Sequence, residues 1–278
     1  MIGAIIGDII GSRFEMVNWA QDKTFENYRK FNLFEKTCRP TDDTVLSCAV
    51  AKTLMGQGSY AENYKKFGRT YPNAGYGGSF ISWLDSESLE GYNSFGNGSA
   101  MRVSPIGWFH NVDEAMLGML PTVLEAELSA LPTHNHLEGI KGAQAIALCI
   151  YMARAGINKD RIKTFTENEY GYDLSRTLDQ IRPTYDFSAT CQDTVPQAIT
   201  AFLESENFED CIRKAISLGG DSDTIAAMAG SIGEAFYGID SNLYNQAYSI
   251  LDAKHPELYL IVKEWENFIH ERRINGYV

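Results

Sequence analysis

Residues 219–237 read GGDSDTIAAMAGSIGEAFY, and this stretch indicates a helical fold. After Thr224 the apolar residues recur at helical spacing, and the small residues among them suit a helix that packs closely against its neighbours. Two aspartates stand directly before the apolar run, as at a helix N-terminus, where such side chains accept hydrogen bonds from unpaired amides. The stretch therefore predicts a buried helix over residues 222–237 with an acidic start.

Other segments of the chain repeat the helical pattern. The same apolar periodicity predicts helices over 43–55, 112–131, 138–156, 194–204, 208–218 and 257–270. Strict two-residue alternation is scarce, and no Asn-Gly or Asp-Gly turn joins two strand-like runs, so the expected fold class is all-α. The Gly- and Asn-rich stretches 68–79 and 91–99 predict loops. No linker or repeat divides the chain, which favours a single domain over residues 1–278.

Composition excludes several classes of protein. The 278 residues include 24 Lys+Arg and 36 Asp+Glu, a net charge of −12, which argues against general nucleic-acid binding or attachment to a membrane surface. The five cysteines form no C-x-x-C pair, so a disulfide framework or a structural zinc site is not expected. The chain also lacks a signal-peptide pattern and a long apolar run. These features predict a cytoplasmic protein, with a monomer as the default.

A second acidic helix start lies near the other end of the chain. Residues 41–44 read TDDT, and an apolar helical run follows them. Each acidic motif could simply cap its own helix. If the two helix starts face each other, four carboxylates converge and require cations, because close like charges raise one another's pKa. Oxygen ligands without Cys or His favour Mg²⁺, Mn²⁺ or Ca²⁺ over zinc, and could hold two ions.

A third acidic element occupies residues 7–15, GDIIGSRFE. Asp8 lies within an apolar helical run, where a carboxylate is costly unless it is hydrogen-bonded. We interpret it as a buried aspartate that holds the backbone of a loop. Glu15 follows two helical turns later and could lie on the same face.

Five motifs in order resemble those of a known family. They are GDxxGxxxE at 7–15, TDDT at 41–44, GNGSAMR at 96–102, THxH at 133–136 and GGDSDT at 219–224. Their order resembles the ADP-ribosylglycohydrolase family from residue 3 to about residue 238. The resemblance implies a compact orthogonal helical bundle with a central cleft that holds two Mg²⁺ (or Mn²⁺) ions.

The resemblance also implies roles for individual residues. The metal ligands of the family carry over to Thr41, Asp42, Asp43, Asp221, Asp223 and Thr224. Glu15 matches the family's mobile glutamate and is the first candidate for proton transfer, with Asp42 or Asp43 as the second.

Two loops and a histidine correspond to the family's substrate-binding segments. The matching residues are Gly75, Tyr76, Gly77, Ser94, Phe95, Gly96, Asn97, Gly98 and His134. Ser94 would contact phosphate, Phe95 would stack near adenine, and Asn97 would hold a ribose or the loop itself. Arg102 could pair with phosphate or brace the carboxylates.

The activity that the resemblance implies is hydrolysis of the C1″ glycosidic bond of an ADP-ribosylated protein, nucleic acid or small molecule, with ADP-ribose as product. Two alternatives stay open at this point. One is a non-catalytic ADP-ribose-binding protein, and the other is a metal-dependent phosphohydrolase that acts on ADP-ribose or a related nucleotide. The sequence does not decide among arginine, serine, ester and nucleic-acid acceptors.

Overall fold

The computed structural model describes residues 1–15, 30–112 and 116–275. Their α-helices are α1 Ile2–Gly11, α2 Asp42–Leu54, α3 Tyr60–Thr70, α4 Gly78–Asp85, α5 Ser104–Phe109, α6 Met119–Ala130, α7 Leu137–Arg154, α8 Lys159–Tyr170, α9 Leu178–Ile181, α10 Cys191–Glu204, α11 Phe208–Ile216, α12 Ser222–Tyr237, α13 Ser241–Lys254 and α14 Pro256–Ile274. Across these ranges the only β-type pairing is an isolated bridge between Gly96 and Thr190. The all-α prediction is confirmed.

Helices α1 and α12 form an antiparallel pair in the core. The backbone amide of Gly3, at the start of α1, donates to Glu234 near the end of α12, over 2.8 Å. At the other end, a Cβ added to Gly11 would lie 2.5 Å from the Cα of Asp223. Between them, a Cβ at Gly7 would lie 2.1 Å from the carbonyl oxygen of Ala226. Glycines four residues apart on one face of α1 therefore let the two backbones touch.

The predicted helices are present, but some of their boundaries differ. Within the described part of the segment 112–131, which leaves out residues 113–115, the helix runs from Met119 to Ala130. The predicted loop 68–79 is shorter at both ends, because α3 continues to Thr70 and α4 begins at Gly78. Glycine does not stop α3, since Gly68 is buried and gives room to the side chain of Leu84. In the second loop, 91–99, a 3₁₀ turn covers Asn97–Ser99.

The helical pattern alone did not reveal α3, α8 and α13. Each of the three carries many polar residues and begins at a side-chain cap, Ser59, Asn158 and Asp240 respectively. Caps and a narrow apolar stripe stabilise such helices, and the stripe is harder to detect than a continuous apolar run.

All five cysteines are buried and unbridged. No helix within the described residues has the length and apolar character that crossing a bilayer requires.

Candidate functional site

Asp8 is fully buried on α1, and its carboxylate accepts hydrogen bonds from the start of α2. Its Oδ2 accepts from the backbone amides of Thr41 and Thr44, over 2.9 and 3.1 Å, and from the Thr44 hydroxyl. Its Oδ1 accepts from the Thr41 hydroxyl over 2.7 Å. Asp8 therefore anchors a helix start, in line with the backbone-holding role inferred from the sequence. The Thr41 hydroxyl, having donated to Asp8, keeps its lone pairs for another partner.

The two acidic helix starts meet directly. The Thr224 hydroxyl of α12 donates to Asp43 Oδ2 of α2 over 3.2 Å. Carboxylate oxygens of Asp8, Asp43 and Asp223 lie within 4.8 Å of one another, and all three residues are buried. Of the four carboxylates expected to converge, Asp43 and Asp223 belong to this cluster, and the third member is Asp8, to which the sequence assigned only a backbone-holding role.

Asp43 is the centre of this acidic cluster. Its Oδ2 lies near two hydroxyls, those of Thr41 and Thr224. Its Oδ1 is buried and has no hydrogen-bond partner. A buried carboxylate oxygen without a hydrogen-bond partner is energetically unfavourable. A ligand bound at Asp43 Oδ1 would remove this cost.

The carboxylates raise one another's pKa. Burial first, then the charges of Asp8 and Asp221, raise the pKa of Asp42 to about 8. Burial and neighbouring carboxylates also raise the pKa of Asp43 and of Asp223 well above the usual range. Such a cluster retains its full negative charge only when cations offset it.

Asp42 lies beside the first glycine loop. Its backbone amide donates to the carbonyl of Ala74 over 3.1 Å, and a Cβ added to Gly75 would lie 3.3 Å from Asp42 Oδ1. Gly75 has φ +115, a conformation that favours glycine. Tyr76 is buried against Phe80, with 5.0 Å between ring centroids, and its hydroxyl has no hydrogen-bond partner. Gly77 is the N-cap of α4.

The second glycine loop contacts the GGDSDT motif through Asn97. The Asn97 side-chain amide donates to Asp221 Oδ2 over 2.7 Å. This contact ties the second glycine loop to the GGDSDT motif, and it does not decide between the two roles inferred for Asn97. Ser94 is turned toward its own loop, where its hydroxyl accepts from the amide of Gly96 over 3.1 Å.

His134 packs against this loop, and Phe95 belongs to it. His134 is buried, and Cβ atoms added to Gly98 and Gly96 would lie 3.2 and 3.5 Å from its Nε2. Phe95 is half exposed and meets the ring of His136 edge-on, with 5.5 Å between ring centroids. An exposed aromatic face on a loop is a suitable platform for a base. His136 itself caps α7, where its Nδ1 accepts from the amide of Glu138.

Glu15 is partly exposed and lies within electrostatic reach of the cluster. Burial first, and then the charge of Asp221, raise the pKa of Glu15, while Arg39 opposes this effect. The residue thus stands between the acidic cluster and solvent.

The segment around Tyr185 is a neighbour of the site that the sequence did not indicate. A Cβ added to Gly220 would lie 3.1 Å from Tyr185 Cε1 and 3.4 Å from the Cα of Phe187. Phe187 is 44% exposed beside the GGDSDT motif. Its only sequence signal is a pair of aromatics in a short polar stretch, which many surface loops share.

The donor set fits divalent metal ions. It consists of carboxylate and hydroxyl oxygens, it includes the unpartnered Asp43 Oδ1, and no Cys or His belongs to the acidic cluster. Hard cations such as Mg²⁺ and Mn²⁺ prefer these ligands.

Comparisons with known proteins agree on one family. Among curated proteins, ADP-ribosylhydrolase ARH3 of Gallus gallus is 26% identical over 86% of this chain and 84% of its own length. ADP-ribosylarginine hydrolase Tri1 of Pseudomonas putida (strain GB-1) is 26% identical over 86% of this chain and 70% of its own.

A solved structure, an ADP-ribosylglycohydrolase-related protein complex, has the same fold, with a TM-score of 0.67, 19% identity and coverage of 94% of this chain and 93% of that one. The sequence model of the ADP-ribosylglycohydrolase family matches residues 1–247. The chain therefore belongs to the ADP-ribosylglycohydrolase family.

Proposed function

We propose that this protein is a metal-dependent hydrolase that cleaves the C1″ glycosidic bond of ADP-ribosylated acceptors and releases ADP-ribose. Membership of the family supports an ADP-ribosyl hydrolase activity. The observation that carries the metal dependence is the buried cluster of Asp8, Asp43 and Asp223 with its unpartnered Asp43 Oδ1. A core that is continuous from Met1 to Ile269 supports one domain over 1–278, and five unbridged cysteines support a cytoplasmic location.

Two Mg²⁺ or Mn²⁺ ions would be held by the two helix starts. The proposed ligands are Thr41, Asp42, Asp43, Asp221, Asp223 and Thr224. Bound cations supply positive charge that offsets the carboxylates and polarises the hydroxyls of the distal ribose. Asp8 would orient the Thr41 hydroxyl toward Asp8 Oδ1, which leaves the Thr41 oxygen available as a ligand.

The two glycine loops would hold the rest of ADP-ribose. The loop at Gly75–Gly77 lies against Asp42, where its backbone can approach the distal ribose. The loop at Ser94–Gly98 is tied to Asp221 through Asn97, so a diphosphate seated there would lie next to the acidic cluster. Phe95 would stack on the adenine.

Glu15 would move protons during hydrolysis. Cleavage breaks the bond from C1″ to the acceptor while positive charge develops at C1″, and water adds its oxygen to that carbon. The water loses a proton and the departing acceptor gains one. A carboxylate whose pKa is raised suits this exchange, and burial raises the pKa of Glu15. Asp42 or Asp43 is the second candidate.

The test is product release from a panel of substrates that carry ADP-ribose on arginine, serine or nucleic acid, with Mg²⁺ or with a chelator. Free ADP-ribose that forms only with Mg²⁺ would support the proposal, and the reactive panel member would identify the acceptor. Arginine is one candidate because the relative from Pseudomonas putida is named for it.

Two matched variants make the test specific to the acidic cluster. Asp43→Asn removes a charge from the cluster, while Asp252→Asn removes one from the exposed surface of α13. Asp43→Asn should lower kcat/KM by about 100-fold or more, and Asp252→Asn should leave it unchanged. AMP as the product would favour the phosphohydrolase alternative. Metal-dependent binding of ADP-ribose without turnover of any substrate would favour a binding protein.

A further inference from the structure

A buried arginine lies behind the second glycine loop. Arg102 has no solvent exposure, and its Cζ lies 3.9 Å from the centroid of the Tyr64 ring. Its Nη2 donates to the carbonyl of Ser129 over 3.0 Å and to the hydroxyl oxygen of Thr133 over 2.8 Å. Because a guanidinium can only donate, the Thr133 oxygen must accept in this contact.

The Thr133 hydroxyl can still donate its one hydrogen to an acceptor. His134 Nδ1 lies 2.7 Å from the Thr133 oxygen, and the alternative acceptor, the carbonyl of Ala130, lies 3.5 Å away. That carbonyl already accepts the backbone amides of Thr133 and His134, over 3.0 and 2.7 Å. The shorter contact and the occupied carbonyl direct the Thr133 hydrogen to Nδ1 of His134.

The proton of the imidazole then resides on Nε2. Nδ1 accepts the Thr133 hydroxyl, and burial together with the nearby Arg102 charge keeps the pKa of His134 well below its usual value, so the ring is neutral. A neutral imidazole carries its single hydrogen on the nitrogen that does not accept. That nitrogen faces Gly96 and Gly98, where added Cβ atoms would lie within 3.5 Å of it.

We propose that Arg102 and Thr133 are positioning residues that fix His134 in its neutral Nε2–H tautomer, so that the ring donates a hydrogen bond to an anionic phosphate oxygen of ADP-ribose at the 96–98 loop. The identity of the ligand rests on the proposed function, whereas the tautomer rests on the protein alone. In the opposite tautomer the ring would present a lone pair to the phosphate and repel it. Arg102 thus acts through two intervening groups rather than by touching the ligand.

The tautomer can be measured directly in the free protein. Long-range ¹H–¹⁵N correlation NMR on histidine-labelled protein distinguishes a protonated ring nitrogen from a bare one, and His134→Gln identifies the signal of His134. We expect a bare Nδ1 and a protonated Nε2. A protonated Nδ1 in the wild-type protein would overturn the proposal.

Thr133→Val tests the relay, because valine has the shape of threonine without the hydroxyl. The His134 signal should then change to a mixture of tautomers, and the Kd for ADP-ribose in Mg²⁺ should rise about tenfold, the effect of one hydrogen bond to a charged group. Thr133→Ser keeps the hydroxyl and should retain both properties. Thr166→Val is the matched control, since Thr166 is equally buried and its hydroxyl donates within α8, to Ile162.

The outcomes separate this inference from the proposed function. If Thr133→Val retains the wild-type tautomer and affinity, the relay is wrong even when the wild-type protein hydrolyses its substrate. If the wild-type protein does not bind ADP-ribose but Thr133→Val alters the tautomer, the ligand assignment and the proposed function fail while the relay stands. If Thr133→Val does not fold, the wild-type spectrum and Thr133→Ser still decide the tautomer.

Discussion

The two acidic helix starts look alike in sequence but are held differently. At the start of α2, Thr41 accepts from the amide of Asp43 as an N-cap, and Asp8 accepts four hydrogen bonds from Thr41 and Thr44. At the start of α12, the N-cap residue Asp221 makes no capping hydrogen bond, and its side chain accepts from Asn97 in a loop. Protein hydrogen bonds thus preorganise the first helix start, whereas the N-cap carboxylate of the second helix start is held by a contact with a loop.

Alanine substitutions should reveal the largest difference between the two helix starts. Asp8→Ala leaves two backbone amides and two hydroxyls without their acceptor, so we expect it to lower the free energy of unfolding by about 2–4 kcal/mol. Asp221→Ala removes one hydrogen bond and should cost about 1 kcal/mol. Both variants remove one carboxylate from the site, so the difference between them reports mainly the hydrogen bonds. Urea unfolding in chelator measures both, and equal losses would contradict the asymmetry.

The variant Asp8→Asn separates the contribution of Asp8 to stability from its contribution to metal binding. With its amide oxygen in the place of Oδ2, asparagine keeps three of the four hydrogen bonds of Asp8. The amide nitrogen of the asparagine would then donate to the oxygen of the Thr41 hydroxyl. The hydrogen of that hydroxyl must therefore point away from residue 8 and toward Asp43.

We therefore expect Asp8→Asn to retain more stability than Asp8→Ala and to lose about 10- to 100-fold in Mg²⁺ affinity. Calorimetric titration with Mg²⁺ measures the affinity. Wild-type affinity in Asp8→Asn would show that the orientation of the Thr41 hydroxyl is unimportant.

The smallest effect is a pH dependence of stabilisation by metal. In the metal-free protein, the raised pKa of Asp42, Asp43 and Asp223 means that the folded state binds protons more tightly than the unfolded state. The free energy of unfolding that these groups contribute therefore falls as pH rises from about 4 through the pKa of Asp42 near 8.

Bound Mg²⁺ should offset the fall in the free energy of unfolding at high pH. At lower pH, protons compete with Mg²⁺ for the carboxylates. We expect Mg²⁺ to raise the Tm several degrees more at pH 8.5 than at pH 6, and Asp43→Asn to reduce that difference. Thermal unfolding with and without Mg²⁺ is the measurement. An equal rise in Tm at both pH values would contradict cation binding by these carboxylates.

Much of the fold could be predicted because its longest buried helices carry strong local signals. The apolar run after Asp223 predicts α12 with its observed bounds, Ser222–Tyr237. Helix α3 escaped prediction because polar residues separate its buried aromatics Tyr60, Tyr64 and Phe67, and because it includes Gly68, which gives room to Leu84. Local periodicity reports a helix only where one face is visibly apolar.

The candidate site likewise includes contacts that the sequence indicated and contacts that it did not indicate. The paired motifs raised the possibility that the two helix starts face each other, and the side chains of Asp43 and Thr224 lie 3.2 Å apart. The sequence did not indicate that Asp8 shares the acidic cluster, because a lone aspartate in an apolar helix has no local signature of its partners. The proximity of Tyr185 to Gly220 likewise arises from two segments that are distant in the chain.

The helical class, the two acidic helix starts and the family could be read from the sequence, since these depend on residue types at short spacing. Only the tertiary structure decided that Asp8 anchors α2 and that Asp43 Oδ1 is left without a partner. It also placed the Thr133 hydroxyl between Arg102 and His134. These contacts require the backbone approach of α1 to α12 and the packing of loops against them, and the direction of a hydrogen bond depends on every neighbouring donor and acceptor at once.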